Sequence, residues 1–229
     1  MGAPRPQMNF LTPLSLGLVI RILALERRGK RAKIDDRHGI AVALWHAAVL
    51  DCLARNPAEV ECLTSELMEL STRQNFALWL GGGAVLRGWA RSVSGSTAQG
   101  LSWIEEGLSD QRASGAILFV PFYLGLKAEA LHLANRTSEA LEVIHEAQAL
   151  VERFEGRCCS AELHRLRGVF LAALGADESQ IETSFHEAVK IAKEQKSISL
   201  AKRAESTYAE YRRQKASGSA GRGFRLPLC

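Results

Sequence analysis

The chain has 229 residues, of which 47% are hydrophobic, 24% charged and 7% aromatic, and its formal net charge is +4. This length suits one domain or one array of repeats, and the apolar fraction excludes wholesale disorder. Leu, Ala and Glu recur along the chain, which has only six Pro. This composition favours helices over a β-sandwich.

Basic residues concentrate at the two ends of the chain. Residues 1–37 and residues 212–229 each carry a net charge of +5, which leaves −6 for the middle of the chain. A protein that binds phosphate backbones needs Lys and Arg clustered on its folded surface. We therefore expect no nucleic-acid binding by the central part.

The N-terminal segment, residues 1–37, is basic and contains the most apolar stretch of the chain, from Phe10 to Leu25. Pro13 and Arg21 interrupt this stretch, which is also short for a membrane span. Its positive charge mostly follows the apolar run, unlike the charge of a signal peptide. We expect an amphipathic or packed helix and no membrane span, with an interfacial anchor as the alternative.

An internal repeat runs through residues 38–214, and its period of about 40 residues lies in the range of helical repeat proteins. Leu86, Leu126 and Leu166 are each separated by one such period, and a tiny side chain follows each of them by two positions. A second apolar set repeats in the latter half of each unit, one residue late in the third unit. The residues predicted to pack the repeats are Ala48, Gly88, Ala128, Gly168, Ile104, Ile144, Phe185 and Ala188.

Each unit divides into two helical stretches. Apolar residues recur at steps of three and four residues, which is the helical period, and turn-forming residues separate the stretches, as at 56–57 and 175–177. A tiny residue in the middle of the first helix allows the second helix to approach closely. Because a helical hairpin cannot bury its apolar face alone, consecutive hairpins stack. We predict an all-α, right-handed solenoid of about nine helices arranged in antiparallel pairs.

The spacing resembles that of the tetratricopeptide repeat family, in which a small residue of the first helix faces small or bulky apolar residues of the second. Ala128 with Ala140, Ile144 and Ala147 fits this pattern. The longer period departs from the family, whose unit has about 34 residues, as does the lack of a Pro that closes each unit. The resemblance implies a superhelical, tetratricopeptide-like array.

Longer sequence segments resemble those of one bacterial group of signalling proteins. AEALHLANRTSEAL at 128–141 and FHEAVKIAKEQKSISLAKRAES at 185–206 look like their C-terminal tetratricopeptide regions, and GRGFRLPLC at 221–229 is similar to the C-terminus of rhizobial members. In this group a class III adenylate/guanylate cyclase domain, or a winged-helix DNA-binding domain, precedes an ATPase module. The resemblance implies a cytoplasmic, bacterial signal-transduction protein.

The catalytic parts of that group are absent from this sequence. No G-x-x-x-x-G-K-[ST] phosphate loop occurs, and the glycine run at 81–83 is not followed by Lys. We therefore expect no enzyme activity and no cofactor. The tail, residues 215–229, begins with small, polar and glycine-rich sequence and is predicted to be flexible.

The cysteines and histidines show no metal-binding pattern. An odd number of cysteines argues against a secreted disulfide framework, and no Cys-x-x-Cys spacing indicates zinc. Cys158 and Cys159 precede Glu162 and His164, which could suggest a thiol nucleophile, but ordinary packing in a reducing cytoplasm is the preferred interpretation. The five cysteines are Cys52, Cys62, Cys158, Cys159 and Cys229.

Two columns of the repeat carry charge. The basic column immediately precedes the tiny residue in three consecutive first helices, and the acidic column lies in the second helices. We predict that the two columns form repeated ion pairs, with two independently solvated faces as the alternative. The columns are Arg87, Lys127 and Arg167 on the one side and Glu106, Glu146 and Glu187 on the other.

The first helices of such arrays line a concave groove, where aromatic and Arg side chains are typical anchors for a protein partner. We predict a non-catalytic module that binds a protein or peptide and regulates a cyclase- or transcription-type signalling protein. The alternatives are a self-associating scaffold, such as a homodimer, and a truncated remnant of a larger cyclase or ATPase. The predicted groove residues, for which core packing is the alternative, are Trp45, Trp89, Glu129, His132 and Arg165.

Overall fold

The computed structural model describes residues 36–154 and 157–217, and these residues form nine α-helices, one 3-10 turn and no strand. The predictions for the apolar N-terminal stretch, for most of the tail and for Cys229 concern residues outside this part. The helices are α1 (Arg37–Leu53), α2 (Pro57–Gln74), α3 (Ala77–Val93), α4 (Thr97–Ala113), α5 (Val120–Leu133), α6 (Thr137–Phe154), α7 (Ser160–Ala173), α8 (Glu178–Glu194) and α9 (Ile198–Ala216), and the 3-10 turn (Arg157–Cys159) precedes α7.

The helices form two layers. Helices α1, α3, α5, α7 and α9 contact one another in succession and make an inner layer. Helices α2, α4, α6 and α8 make an outer layer, in which each helix packs on its own inner partner and on the next inner helix, with a continuous apolar core between the layers. The predicted all-α solenoid of antiparallel helix pairs is confirmed.

A left-handed residue ends each of the first four inner helices, at positions separated by one repeat period. Gly95 (φ 97°), Asn135 (φ 61°) and Gly175 (φ 69°) tolerate this conformation. Arg55 (φ 63°) occupies the same position in the first unit, where its Cβ costs about 1–2 kcal/mol. The first turn is therefore strained in a way that the equivalent turns are not.

The tiny side chains of the repeat let the two helices of a pair touch. A Cβ added to Gly88 would lie 2.5 Å from the carbonyl oxygen of Gly100 and 2.7 Å from Cγ1 of Ile104, both on α4. A Cβ added to Gly168 would lie 2.9 Å from the ring of Phe185 on α8. All eight residues predicted to pack the repeats are buried.

The glycine run of α3 has a packing role. A Cβ on Gly81 would lie 3.1 Å from the carbonyl oxygen of Gly107 on α4, and one on Gly83 would lie 2.9 Å from Met68 on α2. A Cβ on Gly82, which faces a third neighbouring helix, would lie 2.5 Å from the hydroxyl of Tyr123 on α5. Neighbouring helices therefore press on α3 from three directions, because successive helical residues point about 100° apart.

The residues of the basic column do not pair with the acidic column, as the sequence analysis predicted, but with other residues. Arg87 Nε lies 2.8 Å from Glu61 Oε1 on α2, and Lys127 Nζ lies 3.3 Å from Glu105 Oε1 on α4. In both cases the acid belongs to the preceding outer helix. Because the tiny residue faces the helix's own partner, the residue before it is rotated toward the preceding pair.

The third member of the basic column, Arg167, donates to Ser184 Oγ at 2.9 Å. In the acidic column, Glu146 pairs with Arg112 at 2.5 Å and Glu187 with Lys190 at 3.2 Å. The prediction that the two columns pair with each other is therefore wrong, because their members bind other residues.

Within the described ranges, none of the helices is both long and apolar enough to cross a bilayer.

Replacing Gly88 with Ala tests the close contact between α3 and α4. Although Ala is the better helix former, the new methyl group meets backbone atoms that cannot rotate away. We expect Gly88→Ala to lower the free energy of unfolding by about 1–3 kcal/mol, measured by urea denaturation.

Gly125→Ala on α5 is the matched control, because its Cβ would lie 3.3 Å from a movable atom, Cδ2 of Leu163. We expect this variant to be as stable as the wild type or up to about 1 kcal/mol more stable. Equal stability of Gly88→Ala and the wild type would contradict the packing described here.

Candidate binding pocket on the inner layer

A small pocket opens on the inner layer where the end of α1 meets α5, α7 and α9. Its cavity measures about 20 Å³, which is space for roughly one water molecule or one small polar group. Charged side chains share its walls with leucines, an aromatic ring and two cysteines. The pocket is lined by Cys52, Leu53, Arg55, Phe122, Gly125, Leu126, Glu129, Cys159, Glu162, Leu163, Leu166 and Arg203.

Five charged residues on the inner layer form what we call the inner charge cluster. It contains two carboxylates and three guanidinium groups, and each end of the solenoid contributes to it. Four of its members line the pocket, and the fifth, Arg165, is bound to one of them, Glu162. The members are Arg55, Glu129, Glu162, Arg165 and Arg203.

Glu129 on α5 is 2% exposed and joins three elements. Its Oε2 accepts a hydrogen bond from Trp89 Nε1 of α3 at 2.9 Å, and its Oε1 accepts one from Arg55 Nη2 in the turn after α1. Burial opposes ionisation of Glu129, but the charge and hydrogen bond of Arg55, with the bond from Trp89, outweigh it and lower the pKa of the carboxyl group. Glu129 is therefore a buried, ionised carboxylate.

Glu162 on α7 is the second carboxylate. Arg165 binds it in a bidentate manner, with Nε at 2.9 Å from Oε2 and Nη2 at 2.6 Å from Oε1. Burial again opposes ionisation, but Arg165, Arg203 and Arg55 together lower the pKa of Glu162 to about 2. Arg203 of α9 approaches the same carboxylate less closely, with Nη1 at 3.6 Å from Oε1.

Trp45 and His132 lie apart from the pocket lining. Trp45 Nε1 donates to Tyr123 Oη at 2.8 Å, and its ring packs on Phe119 with centroids 4.4 Å apart. His132 is half-buried, with Nδ1 at 3.0 Å from Thr137 Oγ1, and burial lowers its pKa. Trp45 belongs to an aromatic cluster that holds α1 against α5.

The residues predicted to face a groove all lie on inner helices, but four of them are buried. Their exposed fractions are 3% for Trp45, 0% for Trp89, 2% for Glu129 and 2% for Arg165. The structure brings Trp89, Glu129 and Arg165 together in or against the inner charge cluster. Of these three residues, only Glu129 lines the pocket, and all three are buried rather than exposed on a groove surface.

Sequence reasoning missed Arg55, Glu162 and Arg203 as members of this site. A signal existed for Arg55, since it occupies a repeat column that otherwise holds Gly or Asn. Glu129 carried a similar signal, because it shares a column with Val49, Trp89 and Val169. Arg203 lies on α9, beyond the last complete unit, where the repeat gives no comparison.

The cysteines of the described part are free thiols. A hydrogen bond with the thiol of Cys159 lowers the pKa of Cys158 to about 7, while Cys159 lines the pocket. Cys52 is buried, and burial raises the pKa of its thiol. Cys62 is exposed. Across residues 36–154 and 157–217, no group of His, Cys, Asp and Glu is arranged to hold a metal ion.

No family model matches this chain, whereas comparisons with known proteins find similar ones. An uncharacterized protein of Rhizobium meliloti (strain 1021) is 29% identical over 148 residues, which cover 65% of this chain and 14% of that protein. The chain thus spans about one seventh of the length of this relative.

The crystal structure of Bacillus thuringiensis PlcR in complex with the peptide PapR7 and DNA has a similar fold. The TM-score is 0.55 at 15% identity, and the alignment covers 85% of this chain and 74% of PlcR. At this identity the likeness concerns the fold alone. It supports the assignment of the chain as a tetratricopeptide-like helical solenoid.

The inner charge cluster makes stability depend on pH. Because the pKa of Glu162 is lower in the folded state than its ordinary value of 4.5, its contribution is complete above that value and is lost as the pH falls toward 2. At pH 3 the loss is on the order of 2 kcal/mol. We expect Glu162→Gln to be less stable than the wild type at pH 7 and to lose less stability between pH 7 and pH 3.

Urea denaturation at both pH values checks this expectation, with Glu69→Gln as the control because Glu69 is an exposed partner of Arg73 on α2. The control should lose as much stability as the wild type does. An equal loss in Glu162→Gln and the wild type would show that Glu162 is not held ionised by the guanidinium groups.

Proposed function

We propose that this helical array is a non-catalytic regulatory module that binds a peptide or protein segment at the pocket on its inner layer. The observation that carries the proposal is the collection of five buried or half-buried charged side chains at one pocket, whose walls they share with apolar residues. Buried ion pairs are weak contributors to stability, and apolar residues of similar size often stabilise a core as well or better. Charged groups collected at a pocket are more typical of recognition.

The architecture supports the same function. Solenoids of helix pairs present an extended inner surface formed by successive repeats. Here α1, α5, α7 and α9 all contribute to one pocket, so a ligand bound there would join the first and last parts of the array. PlcR, which shares this fold, was crystallised with a peptide, and the proposal extends peptide binding to the present chain.

The module belongs, in this proposal, to a longer bacterial signalling protein of the cytoplasm. The matched residues are 14% of the Rhizobium meliloti relative, so that relative is several times longer than the present chain. The sequence segments at 128–141 and 185–206, which resemble those of such signalling proteins, favour a cyclase or a winged-helix ATPase as the remaining part of that longer protein. Peptide binding at the array would then control that output, and any DNA binding would lie in another module.

The character of α9 favours a ligand-binding module over a scaffold extended by a second copy at this end. Only Ala204, Thr207 and Tyr211 of this helix are buried, and much of its remaining surface is charged. A polar closing helix is what an array needs where stacking stops. Among the described residues of α9, the exposed large apolar side chain is Ile198, which offers little apolar surface for stacking another array.

Removing an aromatic wall of the pocket tests the proposed function. Short random peptides displayed on phage are selected on the wild-type protein, and their affinities are then measured by fluorescence polarisation. Phe122, on α5, lines the pocket, and loss of its contacts should cost about 1–3 kcal/mol of binding energy. We expect Phe122→Ala to weaken binding about five-fold or more.

Phe154→Ala is the matched control, because Phe154 is 44% exposed on the outer helix α6, and it should bind the selected peptides as the wild type does. A selection that enriches no peptide would overturn the proposed function. Equal affinities of the wild type and Phe122→Ala, in folded proteins, would place the binding site elsewhere.

A further inference from the structure

The inner charge cluster holds more positive than negative charge. Arg55, Arg165 and Arg203 stand against Glu129 and Glu162, and the cluster therefore carries a net charge of +1. The groups are close enough to influence one another, since Glu162, Arg165, Arg55 and Glu129 all act on Arg203. A half-buried cation without a close anion is only partly solvated, so the excess positive charge of the cluster favours the approach of an anion.

The hydrogen bonds show which guanidinium group remains available. Both oxygens of Glu162 accept hydrogen bonds from Arg165, and the oxygens of Glu129 accept from Arg55 and Trp89. Within the described part of the chain, the carboxylate oxygen nearest to Arg203 is Glu162 Oε1 at 3.6 Å. This distance exceeds that of a normal hydrogen bond. Because Arg165 already binds both oxygens of Glu162, Arg203 has only a weak ion pair with this carboxylate.

Arg203 is also accessible from the pocket. Its side chain is 19% exposed, compared with 3% for Arg165, and it lines the cavity together with Arg55. A ligand group that enters from solvent can therefore reach the guanidinium group of Arg203, beside which Glu162 is exposed to a similar extent (16%) and Glu129 to a smaller one (3%).

The cavity limits the size of the group that enters. A volume of about 20 Å³ admits one small polar group and excludes a whole ligand, because ligand pockets usually measure about 300–1,000 Å³. The rest of a bound molecule must lie outside the cavity, along the inner layer. A peptide that inserts the end of one side chain fits these conditions.

We propose that the pocket recognises an acidic side chain, Asp or Glu, of the bound peptide, and that Arg203 binds its carboxylate with support from Arg55. This inference rests on the proposed function and adds the chemistry of the ligand. The planar guanidinium group forms strong, charge-assisted hydrogen bonds to a carboxylate. The bound carboxylate brings the cluster to three positive and three negative charges.

A double-mutant cycle tests this recognition. The probes are fluorescein-labelled heptapeptides selected from the random library, each prepared with its acidic residues and with Asn or Gln in their place. We expect the selected peptides to be enriched in Asp and Glu. For the wild-type protein, the change from acid to amide should weaken binding about tenfold or more. For Arg203→Gln, the same change should cost about two-fold or less, because the partner of the acid is missing.

Two further variants separate recognition from folding. Arg203→Lys keeps the positive charge and should retain part of the preference for acidic peptides. Arg112→Gln removes an exposed Arg of α4 and should behave as the wild type. Arg203→Gln leaves the cluster with two charges of each sign, so its thermal midpoint should be no lower than that of the wild type.

The outcomes distinguish this inference from the proposed function. Tight binding that is insensitive to the change from acid to amide would overturn acid recognition and leave peptide binding intact. The same would follow from an equal loss in the wild type and Arg203→Gln. If no peptide bound the wild type at all, both proposals would fall.

Discussion

The structure depends on the close approach of helix backbones at positions without side chains. On α3, Gly88 lies against Gly100 of α4, and Gly81 lies against Gly107 of the same helix. Any side chain at these positions would push the two layers apart. The same compactness lets Trp45 of α1 reach Tyr123 of α5 across Gly82, so α1 and α5 are bonded although α3 lies between them in the inner layer.

This compact inner layer brings together charges that are far apart in the chain. Arg55 and Glu129 are separated by 74 positions, and Arg165 and Thr207 by 42, yet both pairs lie within the same interior. The arrangement has costs, which are the desolvation of several ions and a left-handed backbone at Arg55. Costs of this kind collect at functional sites, which agrees with a binding role for the pocket.

The fold could be predicted from the sequence because each packing contact repeats with the period of the units. Tiny residues such as Ala128 and Gly168 recur in one column, and this repetition marks where two helices meet. The ion pairs were predicted less well, because a shift of one residue rotates a side chain by about 100° and Arg87 therefore faces the preceding helix. The site is an exception to the repeat. Arg55 and Glu129 differ from the residues at equivalent positions of the other units, and Arg203 lies beyond the last complete unit. Their contacts therefore follow only from the three-dimensional structure.

The central claim, that a ligand binds between the inner helices, is tested most directly by hydrogen exchange of the chain with and without a saturating selected peptide. The account predicts slower exchange in the turn after α1 and in α5, α7 and α9, with unchanged exchange in the outer helices α2, α4, α6 and α8. Slowing confined to the outer helices, with the inner helices unaffected, would contradict it.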